Sequence, residues 1–301
     1  MSKRVFEPSS FLTVGFKKPR QLLLAGLLLA AGLGAQTPAP KIEFPAASPS
    51  GSFKQRVGLT EIEVNYSRPG VKGRQVFGGL LPLGEVWRTG ANTATKITFS
   101  RPVKLGGQPV AAGAYALYSI PGATEWTIIL NKVTGEWGAY TYNAANDALR
   151  VTAKPLLLPQ TVETFTIEVN DIRTESATLN LVWDKTRVPV KIEVDVVGPV
   201  VTQIEAAMSS GAKLTPGVYY NAAMFYYDNG LDLKQARAWV EEATKGDKPA
   251  FNMLYGKAKI LAKLGDKAGA LAAAKQSIAA AEGAAKAEYT RLNEAVIAGL
   301  K

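Results

Sequence analysis

The 301-residue chain contains no cysteine and no histidine. Without histidine there is no Ser-His-Asp or Cys-His nucleophile system, no imidazole general base, no His-bound zinc and no His-ligated haem. Without cysteine there is neither a disulfide framework nor the acylated thiol that anchors a lipoprotein. Any catalysis would fall to carboxylates, lysine, tyrosine or an oxygen-ligated metal. No EF-hand loop, P-loop or dinucleotide fingerprint is present. No cofactor, no metal and no catalytic residue is therefore assigned.

Long apolar runs are missing as well. The run Leu22 to Leu33 is well short of the ~20 residues that a membrane span requires. Lys17, Lys18 and Arg20 precede it, and Gly32, Gly34 and Ala35 are small. That three-part pattern predicts a secretory signal peptide over residues 1–35, with cleavage near Ala35–Gln36. An uncleaved anchor is the alternative. The expected address is periplasmic or extracellular, with no transmembrane segment in the mature protein. Of 35 basic and 25 acidic residues, five basic and one acidic lie in this leader. The remaining 30 and 24 leave a net charge of about +6, which is no basic stripe, and nucleic acid is not an expected partner.

Past the leader, the chain changes character twice. Residues 36–50 are Pro/Ala-rich and read as a flexible lead-in. From 51 to 197, short β-branched and aromatic runs alternate with Gly- and Pro-containing turns. Glu61–Tyr66, Lys96–Phe99 and Thr164–Val169 alternate with period two; 115–120, 126–130, 178–183 and 188–194 are further runs. Eight to nine such strands without intervening helical periods predict an antiparallel sandwich or jelly roll. Pro189 marks the last run as an edge strand. Beyond Gly198-Pro199 apolar residues recur at three and four, predicting an all-α helical segment over 198–301. Helix pairs are expected at 216–243 and 249–281, with a last helix at 284–300. The pairs are offset by 34 residues, Ala236 matching Ala270 and Ala243 matching Ser277, the period of a tetratricopeptide repeat. Such a repeat would offer a groove to a protein partner.

Several stretches are distinctive: Ser48-Pro49, Tyr66-Ser67-Arg68-Pro69, Lys72-Gly73-Arg74, Phe77-Gly78-Gly79-Leu80 and Trp87-Arg88-Thr89-Gly90-Ala91-Asn92. With Ala112 to Pro121 and Trp126 to Asn131, they make the segment from Ser48 to about Asp195 resemble the exported bacterial family catalogued as domain of unknown function 2911. The family is common in Bacteroidetes-type genomes, and helices often trail its domain. The resemblance implies no activity.

Two segments carry candidate chemistry. Arg68, Lys72 and Arg74 surround a Pro-Gly turn, where guanidinium forks and backbone amides suit an anion. Trp87, Arg88 and Asn92 combine a ring with directional donors, as sugar and anion sites do. The opposing expectation is a solvated basic turn, a Trp87 that anchors the core, and polar side chains that satisfy their own loop. Glu61 and Glu63 lie about 6–7 Å apart along a strand, near the spacing of glycosidase pairs, but on its solvent face. The run from Trp137 to Tyr142 alternates as a strand would, placing Tyr140 and Tyr142 on one face. The expected function is an exported, non-catalytic binding or assembly module of the cell envelope, recognising an anionic or glycan-like ligand. A carboxylate-based hydrolase acting on envelope or polymeric substrate is the alternative.

Overall fold

The computed structural model of the protein describes residues 42–300. The signal peptide expected over 1–35, and the lead-in up to residue 41, lie outside the described residues. From residue 45 onward the chain forms one compact unit.

Among the described residues, ten strands come first. β1 (Ser50–Val57), β2 (Thr60–Ser67), β3 (Thr95–Phe99), β6 (Gly113–Ile120), β7 (Trp126–Asn131) and β8 (Asp147–Ala153) make one antiparallel sheet in the order β1-β2-β3-β6-β7-β8. β4 (Val103–Leu105), β5 (Gln108–Val110), β9 (Leu156–Asn170) and β10 (Ser176–Val194) make the second, ordered β5-β4-β10-β9. The period-two pattern decides what each strand buries. In β2, Ile62, Val64 and Tyr66 turn inward while Glu61 and Glu63 stay outside, each within 3.2 Å of the Lys54 ammonium. The inner faces meet in one core that includes Ile97, Phe99, Leu117 and Ile128 from the first sheet and Phe165, Ile167, Leu179 and Trp183 from the second. Full burial of each such side chain contributes about 1.5–3 kcal/mol. The expected two-layer antiparallel β domain followed by helices is what the chain forms.

Three local expectations are corrected. The runs at 178–183 and 188–194 are one strand, β10, which swaps its partner from β9 to β4 along its length. Pro189 therefore does not mark an edge. It sits between the last pairing to β9, at Arg187, and the first to β4, at Ile192, where its missing N–H costs no ladder bond. Residues 137–142 are not a strand: Gly138 has φ 75° and the segment turns, leaving Trp137 and Tyr140 exposed and Tyr142 folded edge-on against Tyr118 at 5.0 Å. The Gly106-Gly107 turn, with both φ positive, closes the β4–β5 hairpin as a two-residue loop requires.

Among the described residues, six α-helices come after the strands: α1 (Val197–Ser209), α2 (Pro216–Asp228), α3 (Leu233–Ala243), α4 (Phe251–Lys263), α5 (Lys267–Ala280) and α6 (Ala285–Ala298). α1 is an addition to the expected set. Asp232 and Asp266, themselves 34 residues apart, accept backbone N–H bonds at the starts of α3 and α5. The small residues at the repeated positions, Ala236, Ala243, Ala270 and Ser277, are all buried. Gly256 shows why size matters: an added Cβ would lie 2.6 Å from the Tyr220 ring and 2.9 Å from Met224 Sδ. Val200 of α1 and Phe225 of α2 pack on the β core, so the helices are seated on the sandwich.

Candidate functional site

Residues 68–94 leave β2 as irregular chain, bond to Glu163 of β9 and Ser119 of β6, and return as β3. Their backbone is held by pairing to the sheets: Trp87 exchanges two bonds with Ser119, at 2.7 and 2.9 Å. The indole Nε1 of Trp87 donates to Gly90 O at 2.9 Å, fixing the adjoining loop. Thr89 is buried with φ +51°, a conformation that a β-branched residue adopts only under constraint. The constraint is a hydroxyl pair with Ser119 at 2.9 Å and a bond from Thr95 Oγ1 to Thr89 O at 2.5 Å. At Gly90 an added Cβ would come within 3.0 Å of both Ser67 O and Thr95 Oγ1. The loop is thus a rigid, strained platform rather than a slack connection.

The six sequence-selected residues part company on it. Arg68 is a strap: its Nε donates to Phe165 O at 3.1 Å and its Nη2 to Thr166 Oγ1 at 2.8 Å, and it lines a separate cleft with Tyr66. Lys72 has φ +50°; its backbone N–H donates to Glu163 and its ammonium reaches Ala47 O at 3.5 Å. Asn92 donates its amide to Ser48 O and Ser67 Oγ, tying the entering chain to the loop. These three are engaged in holding segments together.

The other three converge. Arg74, Trp87 and Arg88 line a cavity of about 280 Å³ together with Ser48, Pro69, Leu80, Leu81, Gly90, Ala91 and Trp183. The expected stacking role of Trp87 is corrected, because its ring is only 6% exposed and lies 5.8 Å from Trp183 at 19°, with Phe165 edge-on at 5.0 Å. A core neighbour occupies its face; the indole serves as a wall of the cavity. Arg74 is oriented by its own turn, donating from Nε to Val71 O at 3.0 Å and from Nη2 to Gly70 O at 2.6 Å. Three of its five N–H groups remain for something else.

Arg88 differs from every other cation near the cavity. Its Nε is buried and meets no hydrogen-bond partner among the described residues. Among the same residues, no carboxylate lies within ion-pair distance of Arg74 or Arg88. No Asp or Glu is among the residues that line the cavity. Two guanidinium groups, one oriented and one unsatisfied, can bind an oxyanion through paired N–H donors.

The carboxylates singled out from the sequence, and the most buried one, are committed to other bonds. Glu61 and Glu63 share Lys54. The Asn65 amide, ahead of the Lys54 ammonium, holds the Glu63 carboxyl below its usual value. Asp147 binds Asn131, Tyr142 and Arg150, which pins the 132–147 segment over the outer face of the first sheet. Among the described residues, no three Asp or Glu side chains gather as a metal site.

Leu80, Leu81, Ala91, Trp183 and Ser48 were not selected from sequence as cavity residues. Trp183 stood inside a β run, and only the stacking partner of Trp87 reveals its place. The φ of Thr89 likewise leaves no trace in composition.

Residues 48–192 match the family model described as Protein of unknown function (DUF2911). That match ends before the helices begin. No curated protein and no solved structure matches the chain.

Proposed function

From a chain whose residues 48–192 are a domain of that family, which brings no activity with it, we propose an exported, non-catalytic module that binds an anionic ligand in the Arg74/Arg88 cavity. The observation that carries this reading is the buried Arg88 Nε without an acceptor. A buried, unsatisfied donor costs about 1–3 kcal/mol, and an oxyanion that accepts from it would offset that cost. The strained Thr89 beside it fits a loop held in shape for binding. A carboxylate hydrolase needs two carboxyl groups about 5–10 Å apart, and the cavity lining has none. Glycan recognition loses its main support, since the Trp87 face is covered by Trp183.

The helical segment is read as tetratricopeptide-like on its 34-residue offset and its buried small residues, and as a surface for a protein partner. No helix among the described residues is long and apolar enough to cross a membrane. Export and a periplasmic or extracellular address rest on the leader sequence alone. The binding test is thermal shift with sulfate, phosphate and carboxylates. Stabilisation of the wild type that disappears in a folded Arg88→Ala variant is the expected result. An unchanged shift in that variant would remove the site from this cavity.

A further inference from the structure

Two guanidinium groups account for the head of a ligand but not for the rest of the cavity. Six of its ten lining residues are apolar: Pro69, Leu80, Leu81, Trp87, Ala91 and Trp183. A bare hydrated anion gains nothing from such walls. Small-molecule sites, by contrast, combine mostly apolar lining with a few placed polar groups, and about 280 Å³ lies near the lower end of their size range. The apolar character continues outside. Leu80 is 43% exposed, and its loop turns back at Phe77 and Leu81, which bridge to each other. Beyond Phe77 a second cleft of about 300 Å³ opens, lined by Leu83, Trp126, Leu156 and Leu157. Leu157 is 84% exposed, although it pairs across to Thr186 of β10 through its backbone, where a polar side chain would cost the ladder nothing. Isolated exposed leucines are ordinary. Leu83, Leu156 and Leu157 line one cleft, and the Phe77–Leu81 bridge joins it to the loop that carries Leu80, so these leucines are not isolated.

We infer that the ligand is an amphiphilic oxyanion: a carboxylate or phosphate-monoester head held by Arg74 and Arg88, with an aliphatic chain lying against Leu80 and Leu81 and leaving toward Leu83 and Leu157. The inference rests on the anion site proposed above and adds the chain. It requires no catalytic group, only a head that accepts from Arg88 Nε and a tail that profits from leaving water.

Calorimetric titration of the purified protein with acetate, butanoate, hexanoate and octanoate tests it, with inorganic phosphate and hexyl phosphate as a second series. Affinity should rise roughly fourfold per added methylene until the chain outgrows the apolar wall. A rise in either series supports the inference and identifies the head. Leu157→Ser should lower the affinity of the longest chains while acetate or phosphate binds as before, and Arg88→Ala should abolish both. Equal affinity along both series would overturn the amphiphile while leaving the anion site standing. Failure of every anion, short or long, would overturn both readings.

Discussion

Most substitutions at a partly buried position weaken a protein, but Arg88→Met is expected to strengthen this one when no ligand is present. Methionine keeps an apolar stem that reaches as far as the Nε position and removes the guanidinium whose buried Nε has no acceptor. The orphan donor costs about 1–3 kcal/mol. The rest of the guanidinium is not fully buried, so the recovered stability falls at the low end, about 1 kcal/mol. For a chain of this size that is a rise of about 2–4 °C in Tm. Arg68→Met is the matched control. Its guanidinium makes two short bonds, to Phe165 O and Thr166 Oγ1, and its loss leaves a carbonyl of β9 without that donor. A destabilisation of about 1.5–3 kcal/mol is expected there. Both variants are compared with wild type by urea and thermal unfolding in a buffer without oxyanions. If Arg88→Met is destabilised like Arg68→Met, then Arg88 is structural and the argument from its unmet donor fails. If both are neutral, the orphan is satisfied by solvent and carries no functional meaning.

Gly256→Val drives a side chain into the Tyr220 ring and Met224 sulfur, and should cost about 1–3 kcal/mol by overpacking, seen as a lower thermal midpoint. Burial, with the Asp147 bond second, holds the Tyr142 phenol above its usual value of 10.0 against the opposing pull of Arg150. A raised pKa favours the protonated phenol in the folded state. Its contribution is therefore complete below pH 10.0 and is lost as pH rises through the folded value. A Tyr142→Phe variant should remove that part of the alkaline stability loss in urea melts taken across the range.

The layers of the fold were legible because they follow from short-range patterning. Ile62, Val64 and Tyr66 alternate with Glu61, Glu63 and Asn65, and helices fill the expected pairs 216–243 and 249–281. What failed did so for reasons beyond local pattern. Pro189 was assigned to an edge because proline lacks an N–H, yet a long strand that changes partners also has residues free of pairing. Tyr140 and Tyr142 alternate as in a strand, but the positive φ of Gly138 turns the chain between them and Trp137. At the site, the arginines were visible as chemistry while their obligations were not. Arg68, Arg74 and Arg88 are indistinguishable in sequence; only geometry separates one bonded across to β9, one bonded to its own turn and one with a buried donor unmet. The apolar walls were invisible because Leu80 and Trp183 are about a hundred residues apart and meet only when the two sheets close.

That long-range closure has a kinetic meaning. The cavity joins Ser48, Pro69, Arg74 and Trp87 to Trp183 near the middle of β10, so it does not exist until nearly the whole sandwich is assembled. Contacts of such sequence separation are the slow, late events of folding. A ligand of this cavity can therefore recognise only the finished domain. It would leave the rate of folding unchanged and act as a brake on unfolding. In a chain without a single cysteine, such a brake would substitute for the covalent staples that disulfides provide elsewhere.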